Sequence, residues 1–394
     1  MIDEMGVRPP LGAQSRRLVS AILRGARSRR PQRTLEILFD AFNPMNVVCL
    51  RPMIDALMAR PEVRVILMNS RERSLDAARA LFTAAGYAPE QVVLVGPRTR
   101  WRAWDLYVCA DHRSVGRSWL WLGAPRVYAD HGLSGARHPR GEWWELRADL
   151  LATYAAVFVT GELFLPAARE QGRRAGCAAV PRLIGFPKLD RLVDGSLCRK
   201  HIAGQLRLDQ TRPTVMLAPS WGPYALGTLA FDAAMAMLLR DNRYNVIIKL
   251  HQLQTRDSPA EWHSRLHRYA AHPSVRLIDD PDCLPYLVAA DALVTDHSSI
   301  GFEFSLLDRP LFQFDHPALL FSPPELEEIT ARAAYRFDDV DDLPALLERG
   351  MRLPMERSPG RRALAEACFY KPGTATARAV ELLLALARGD DGHA

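Results

Sequence analysis

Short apolar runs rich in Val, Ile, Leu and Phe alternate with stretches of helical periodicity along most of the chain. Runs of that length and composition fit strands covered on both faces, so the alternation predicts βαβ units and parallel sheets flanked by helices. The first series places strands at 35–39, 63–68, 92–95, 106–109, 126–128, 157–160 and 182–184, with helices over 53–58 and 75–85. A polar stretch at 194–212 interrupts it. The second series places strands at 215–218, 244–249, 275–278, 292–295 and 311–314, and helices over 229–239, 262–271 and 284–290. Helices at 343–347 and 363–369 follow, and a last one at 375–388 carries an apolar stripe through Val380, Leu383, Leu384 and Ala387. The expectation is an α/β protein of two doubly wound, Rossmann-like domains facing each other across a cleft, with the last helix crossing back. Its expected parts are a basic segment at 1–33, a first domain at 34–195, a linker at 196–211, a second domain at 212–374, and a closing helix and tail at 375–394.

At 394 residues the chain exceeds one ordinary core, in keeping with two domains of roughly 100 to 200 residues each. Its net charge of +6 comes from abundant arginine and favours anionic ligands or surfaces without choosing among them. Arg16, Arg17, Arg24, Arg27, Arg29 and Arg30 concentrate that charge near the start, with Leu18, Val19, Ile22 and Leu23 between some of them. A basic amphipathic helix on anionic lipid headgroups and a solvated leader both fit this pattern. The six cysteines form no C-x-x-C pair, which predicts neither a disulfide framework nor a zinc ribbon. No apolar run approaches the roughly 20 residues of a bilayer span, and the start lacks the apolar core of a secretory leader. The expected location is cytoplasmic, peripheral on the inner membrane face where the basic segment binds lipid.

Polar chemistry gathers at four predicted strand ends. Asp296-His297-Ser298-Ser299 follows one strand, and Ile300, Phe304 and Leu307 then recur at helical spacing until Pro310. Ser298 and Ser299 open that helix, where the first N–H groups have no partner within it and an anion is favoured. The plainer reading makes Ser299 an N-cap and Asp296 a turn residue. Glu303, one turn further, suits either ribose hydroxyls or the helix dipole. Tyr128-Ala129-Asp130-His131-Gly132 puts an imidazole at a strand end beside a glycine that permits close backbone approach, so His131 is a candidate general base. Ala218-Pro219-Ser220 offers a hydroxyl, and alternation places Lys249 and His251 on one side of an extended segment, in reach of a diphosphate. Taken singly, each of these residues is equally at home in a structural role.

Other classes fit poorly. Neither G-x-x-x-x-G-K-[ST] nor a post-strand G-x-G-x-x-G occurs. His131, His138, His251, His297 and His316 match no zinc spacing, and no acidic grouping suits a preformed magnesium cage. The expected resident cofactor is none, with Mg²⁺ on a donor diphosphate left open. Basic residues are spread over both halves and no nucleic-acid-binding pattern appears, so no nucleic-acid partner is expected. Trp101, Trp104, Trp119, Trp121, Trp143 and Trp144 read as core or carbohydrate-stacking residues.

Taken in order, these motifs resemble the CDP-glycerol glycerophosphotransferase family, the teichoic-acid type polymerases of GT-B architecture. The family's H-G is matched by His131-Gly132, its G-x-P-x-x-D by Gly185, Pro187 and Asp190, and its A-P-T by Ala218-Pro219-Ser220. Its K-x-H is matched by Lys249 and His251, and its D-Y-S-S-x-x-F-D-F by Asp296, Ser298, Ser299, Phe302, Glu303 and Phe304. Leu133, Gln252, His297 and Glu303 stand where the family usually has Thr, Pro, Tyr and Asp. The resemblance implies transfer of a phospho-alditol or phospho-sugar from a CDP-activated donor to an acceptor hydroxyl on a membrane-bound glycan or lipid-linked acceptor, releasing CMP. It implies His131 as the base and His251 on the donor diphosphate, with Gly132, Ser220, Lys249, Asp296, Ser298, Ser299 and Glu303 binding substrate. Two alternatives stay open: a nucleotide-sugar glycosyltransferase or nonhydrolysing epimerase of the same architecture, and a non-catalytic nucleotide-binding scaffold.

Overall fold

The computed structural model describes residues 34–94, 104–111, 124–132, 151, 153–177 and 180–390. The basic segment 1–33, Val95, Leu133, His138, Trp101, Trp119, Trp121, Trp143 and Trp144 lie outside them. Trp104 is buried, as a core residue.

Seven parallel strands form the first sheet: β1 (Leu35–Asp40), β2 (Val63–Met68), β3 (Val92–Val93), β4 (Leu106–Cys109), β5 (Arg126–Tyr128), β6 (Ala156–Val159) and β7 (Pro181–Leu183). Their order is β3-β2-β1-β4-β5-β6-β7. Six more form the second: β8 (Thr214–Leu217), β9 (Asn245–Ile248), β10 (Val275–Leu277), β11 (Ala292–Thr295), β12 (Leu311–Phe314) and β13 (Tyr335–Phe337), in the order β10-β9-β8-β11-β12-β13. In each sheet the order reverses beside its first strand, and such a reversal opens a crevice at the carboxyl edge.

Side chains one residue apart on a strand face opposite ways, and the cores divide accordingly. Ile37 and Phe39 enter one apolar cluster while Leu38 enters another. Val215, Leu217, Val246 and Ile248 pack on the outer side of the second sheet. Met216, Ile247 and Leu293 turn inward and join the cluster of Ile37 and Phe39, so a single core runs from one sheet to the other.

Five helices bear on the site: α1 (Pro44–Met58), α2 (Arg199–Gln205), α3 (Ser299–Ser305), α4 (Ser358–Cys368) and α5 (Ala375–Arg388). The periodicity shows only the last part of α1, because Pro44 and Pro52 read as breakers. Pro44 instead occupies the first turn, where no N–H is needed, and Asn43 caps the start by accepting from Asn46 N at 2.9 Å. The expected linker 196–211 contains α2, which Arg199 ties to Asp291 of the second domain at 2.6 Å. β13 has no apolar run to announce it, since its centre is Arg336.

α5 crosses back: Val380, Leu383 and Leu384 complete the core beneath Ile37 and Phe39. Its start is held by Asp190, whose carboxylate accepts from the N–H groups of Gly373 (2.7 Å), Ala375 (3.2 Å) and Thr376 (2.7 Å). Truncating a capping carboxylate leaves such donors unpaired, so Asp190→Ala is expected to cost about 1–2 kcal/mol, measured as a lower melting temperature. Gly185 precedes this turn at φ +88°, and a Cβ there would lie 2.5 Å from the Tyr370 carbonyl oxygen. The G-x-P-x-x-D motif therefore binds the closing helix to the first domain.

Candidate active site

Register decides which turns meet. Leu217 of β8 lies opposite both Ile248 of β9 and Val294 of β11, so the turns bearing Ser220, His251 and Ser298 leave the second sheet at one level. The turn after β5 approaches from the first domain. A Cβ built on Gly132 would lie 3.8 Å from Ser299 Oγ, which puts His131-Gly132 against the double serine across the domain boundary.

The polarity of His131 is set by the backbone. Its Nδ1 is 2.9 Å from the Ala110 carbonyl oxygen, which can only accept, so Nδ1 carries a proton and Nε2 of the neutral ring presents a lone pair. Asp130 shapes this turn from a left-handed backbone conformation, φ +59°. Its Oδ1 accepts from His131 N at 2.6 Å and from the Tyr128 hydroxyl at 3.1 Å. Nothing in the sequence pattern singled out Asp130 beyond its place before the histidine.

His251 has the opposite polarity. Its Nδ1 accepts from Leu253 N at 3.2 Å, so the proton of the neutral ring sits on Nε2 and that edge donates. Burial, helped by Lys249 and His131 nearby, lowers its pKa to about 4. Trp221, half exposed, stacks on it with ring centroids 6.1 Å apart. Tyr224 of the same turn stacks on His316 at 4.7 Å.

Three of the expected ligand residues have protein partners in the structure. Asp296 is buried, and its carboxylate accepts from Ser220 N and Leu226 N at 2.9 Å each, strapping the β8 turn to the β11 turn. Burial raises its pKa above the usual carboxylate range, against these hydrogen bonds. Ser220 also gives its hydroxyl to Asp296, so the pair shapes the turn instead of presenting both groups to a ligand. Glu303 is 2% exposed and lies 2.7 Å from Lys188 Nζ, so its carboxylate is engaged with a buried ammonium.

His297 is buried, with Nε2 3.4 Å from Asp315 Oδ1. Asp315 also receives Arg336 at 2.6 Å, and Arg336 in turn reaches Glu327 at 2.6 Å. Burial would raise the Asp315 pKa, yet these partners hold it down at about 2. Both His251 and Asp315 are therefore proton-poor in the folded state relative to their ordinary pKa values of 6.5 and 3.8. As pH falls, the unfolded chain takes up those protons first, so stability is lost between about 6.5 and 4 through His251 and then toward 2 through Asp315. Melting temperature against pH is expected to show the first slope, and His251→Gln is expected to flatten it.

Among the described residues no group of three or more His, Cys, Asp or Glu side chains is placed to hold a metal, and no helix is long and apolar enough to cross a membrane. A cavity of about 1210 Å³ lies behind α1, bounded by Val47, Arg51, Lys188, Asp282 and Val380; neither histidine nor the double serine lines it.

These turns, in this order and on these sheets, match known proteins. Residues 181–317 match the family model of CDP-glycerol:poly(glycerophosphate) glycerophosphotransferase. The matched segment runs from β7 past β12 and so holds Lys188, Asp190, Lys249, His251 and the double serine, but not His131. The teichoic acid glycerol-phosphate primase of Bacillus subtilis is 25% identical over 145 residues, 35% of this chain and 36% of that protein. The teichoic acid poly(glycerol phosphate) polymerase of the same organism is 29% identical over 123 residues, 29% of this chain and 15% of that one. The chain thus matches about a third of the first relative's length and less of the second's. The solved wall teichoic acid polymerase TagF superposes with a TM-score of 0.63 at 14% identity, covering 97% of this chain and 95% of that one. A UDP-N-acetylglucosamine 2-epimerase superposes with a TM-score of 0.60 at 12% identity, covering 91% and 97%. At these identities the structural likeness establishes the GT-B fold alone.

Proposed function

We propose that this protein transfers glycerol phosphate, or a similar phospho-alditol or phospho-sugar, from a CDP-activated donor to an acceptor hydroxyl of a cell-envelope glycan. The observation that carries the reading is the approach of the His131-Gly132 turn to Ser299 across the two domains, with a proton acceptor on one side and a donor on the other. The family segment, the two teichoic-acid relatives and a TagF variant soaked with CDPG support the choice of donor.

In this scheme the acceptor oxygen attacks the phosphorus distal to cytidine and its proton passes to His131 Nε2. The bond from that phosphorus to the bridging oxygen breaks, and CMP leaves with the electron pair. Lys249, the Nε2–H of His251 and the Ser298-Ser299 turn offset the charge that develops on the leaving phosphate. A neutral His251 can donate without repelling Lys249, which is the advantage of its lowered pKa. Mg²⁺, if used, travels with the donor diphosphate, and an EDTA arm of the assay measures that. The basic segment 1–33 supplies the peripheral contact with a cytoplasmic membrane face where the lipid-linked acceptor resides.

The test incubates the protein with washed envelope membranes and, separately, CDP-glycerol, CDP-ribitol, UDP-N-acetylglucosamine or GDP-mannose. A CDP-linked alditol is expected to raise the melting temperature and to release CMP. Stabilisation and turnover with a UDP-sugar alone would replace this reading by a glycosyltransferase or epimerase. Binding of CDP-glycerol without turnover under any condition would leave a scaffold.

A further inference from the structure

We propose that the Lys188–Glu303 ion pair is a positioning device that sets the depth and rotation of α3, and so the gap between Ser299 and the His131-Gly132 turn. The inference rests on the transferase reading for its kinetic readout and on geometry for the rest. Both side chains are 3–4% exposed and meet at 2.7 Å, one from each side of the domain boundary. Although burial alone disfavours its charge, Lys188 stays protonated because Glu303 lies beside it, and its pKa is raised.

Lys188 stands on a fixed post. Its 3-10 turn, Pro187–Leu192, follows the cramped Gly185, ends near Asp190 on the start of α5, and is pinned by Arg191 to Asp282 at 2.5 Å. Phe186 covers the ammonium at 5.2 Å from the ring centroid. Glu303 is four residues beyond Ser299, so the two side chains stand on the same face of α3, one turn apart. Holding Glu303 against Lys188 therefore turns Ser299 toward Gly132. Cys49 closes the loop on the other side: its thiol donates to the His131 carbonyl oxygen at 3.4 Å and lies within the field of both Lys188 and Glu303. Cys283 donates to the second oxygen of Glu303 at 3.6 Å. A pair of well-packed apolar side chains would serve stability as well as a buried ion pair does, whereas the ion pair admits few orientations of its helix.

The test compares the wild type with Lys188→Gln/Glu303→Gln, which removes both charges and keeps two side chains able to hydrogen-bond. The expected result is a kcat for CMP release lowered about tenfold or more, with KM for CDP-glycerol within about threefold of wild type, since neither residue touches the donor. Amide hydrogen exchange in segments 129–132 and 296–305 is expected to rise while β8 and β9 stay protected. Lys188→Arg keeps the charge and is expected to recover much of kcat; if the double variant does not fold, Glu303→Asp, which shortens the same link, carries the comparison. A raised KM at unchanged kcat would make Glu303 a donor contact and overturn the inference. Unchanged kcat and exchange would overturn it as well. Absence of CMP release from the wild type sinks the transferase reading instead, and exchange in the variants then decides the positioning role by itself.

Discussion

His131→Ala is expected to lower the rate of CMP release by about 10²–10⁴-fold, the usual worth of a positioned general base. The lone pair on Nε2 is the proton acceptor that the geometry offers to the acceptor hydroxyl, and alanine provides none. Donor binding is expected to survive, because the proposed diphosphate contacts lie in the second domain: Lys249, His251 and the double serine all follow strands of that sheet. Stabilisation by CDP-glycerol should therefore match the wild type while single-turnover transfer nearly vanishes. His251→Ala is expected to act differently, weakening the donor's stabilising effect together with turnover. Normal turnover by His131→Ala would remove the base from the mechanism.

Lys188→Met is expected to destabilise the fold by about 3–5 kcal/mol, seen as a large drop in melting temperature or denaturant midpoint. The penalty comes from the carboxylate left behind: Glu303, 2% exposed, keeps among the described residues only Cys283 as a weak partner. A surface pair makes the comparison. Arg51 and Asp55, at 49% and 53% exposed, meet at 3.4 Å in adjacent turns of α1, and breaking them should cost less than about 1 kcal/mol because water takes over. Removing both charges at 188 and 303 should recover much of the lost stability without recovering kcat. That separation distinguishes the energy of the pair from its role in orienting α3.

Much of the fold was legible because it rests on local pattern. Leu35–Asp40 and Thr214–Leu217 are short, mostly apolar runs buried on successive residues, a signal that requires only neighbouring residues, and the two series of strands announce two sheets. Elements whose signals are masked were missed. Prolines hid the first turns of α1, and Arg336 at the centre of Tyr335–Phe337 hid an edge strand. The site was legible in part for the same reason. His131, His251 and Ser299 stand at strand ends, and parallel sheets bring strand ends to one edge.

The chain's own order of residues announced the α/β class, the two series of strands, the closing helix and the strand-end placement of the histidines and serines, since each is signalled by a pattern of neighbouring residues. Only the tertiary structure decided what those polar groups face. Asp296 turned to the backbone that follows β8, Asp190 to the start of α5 and Glu303 to Lys188, whose position in the chain is 115 residues away. A carboxylate reads the same in sequence whether it meets a ribose or a buried ammonium. The difference is made by burial and by partners from distant segments, which local periodicity does not encode.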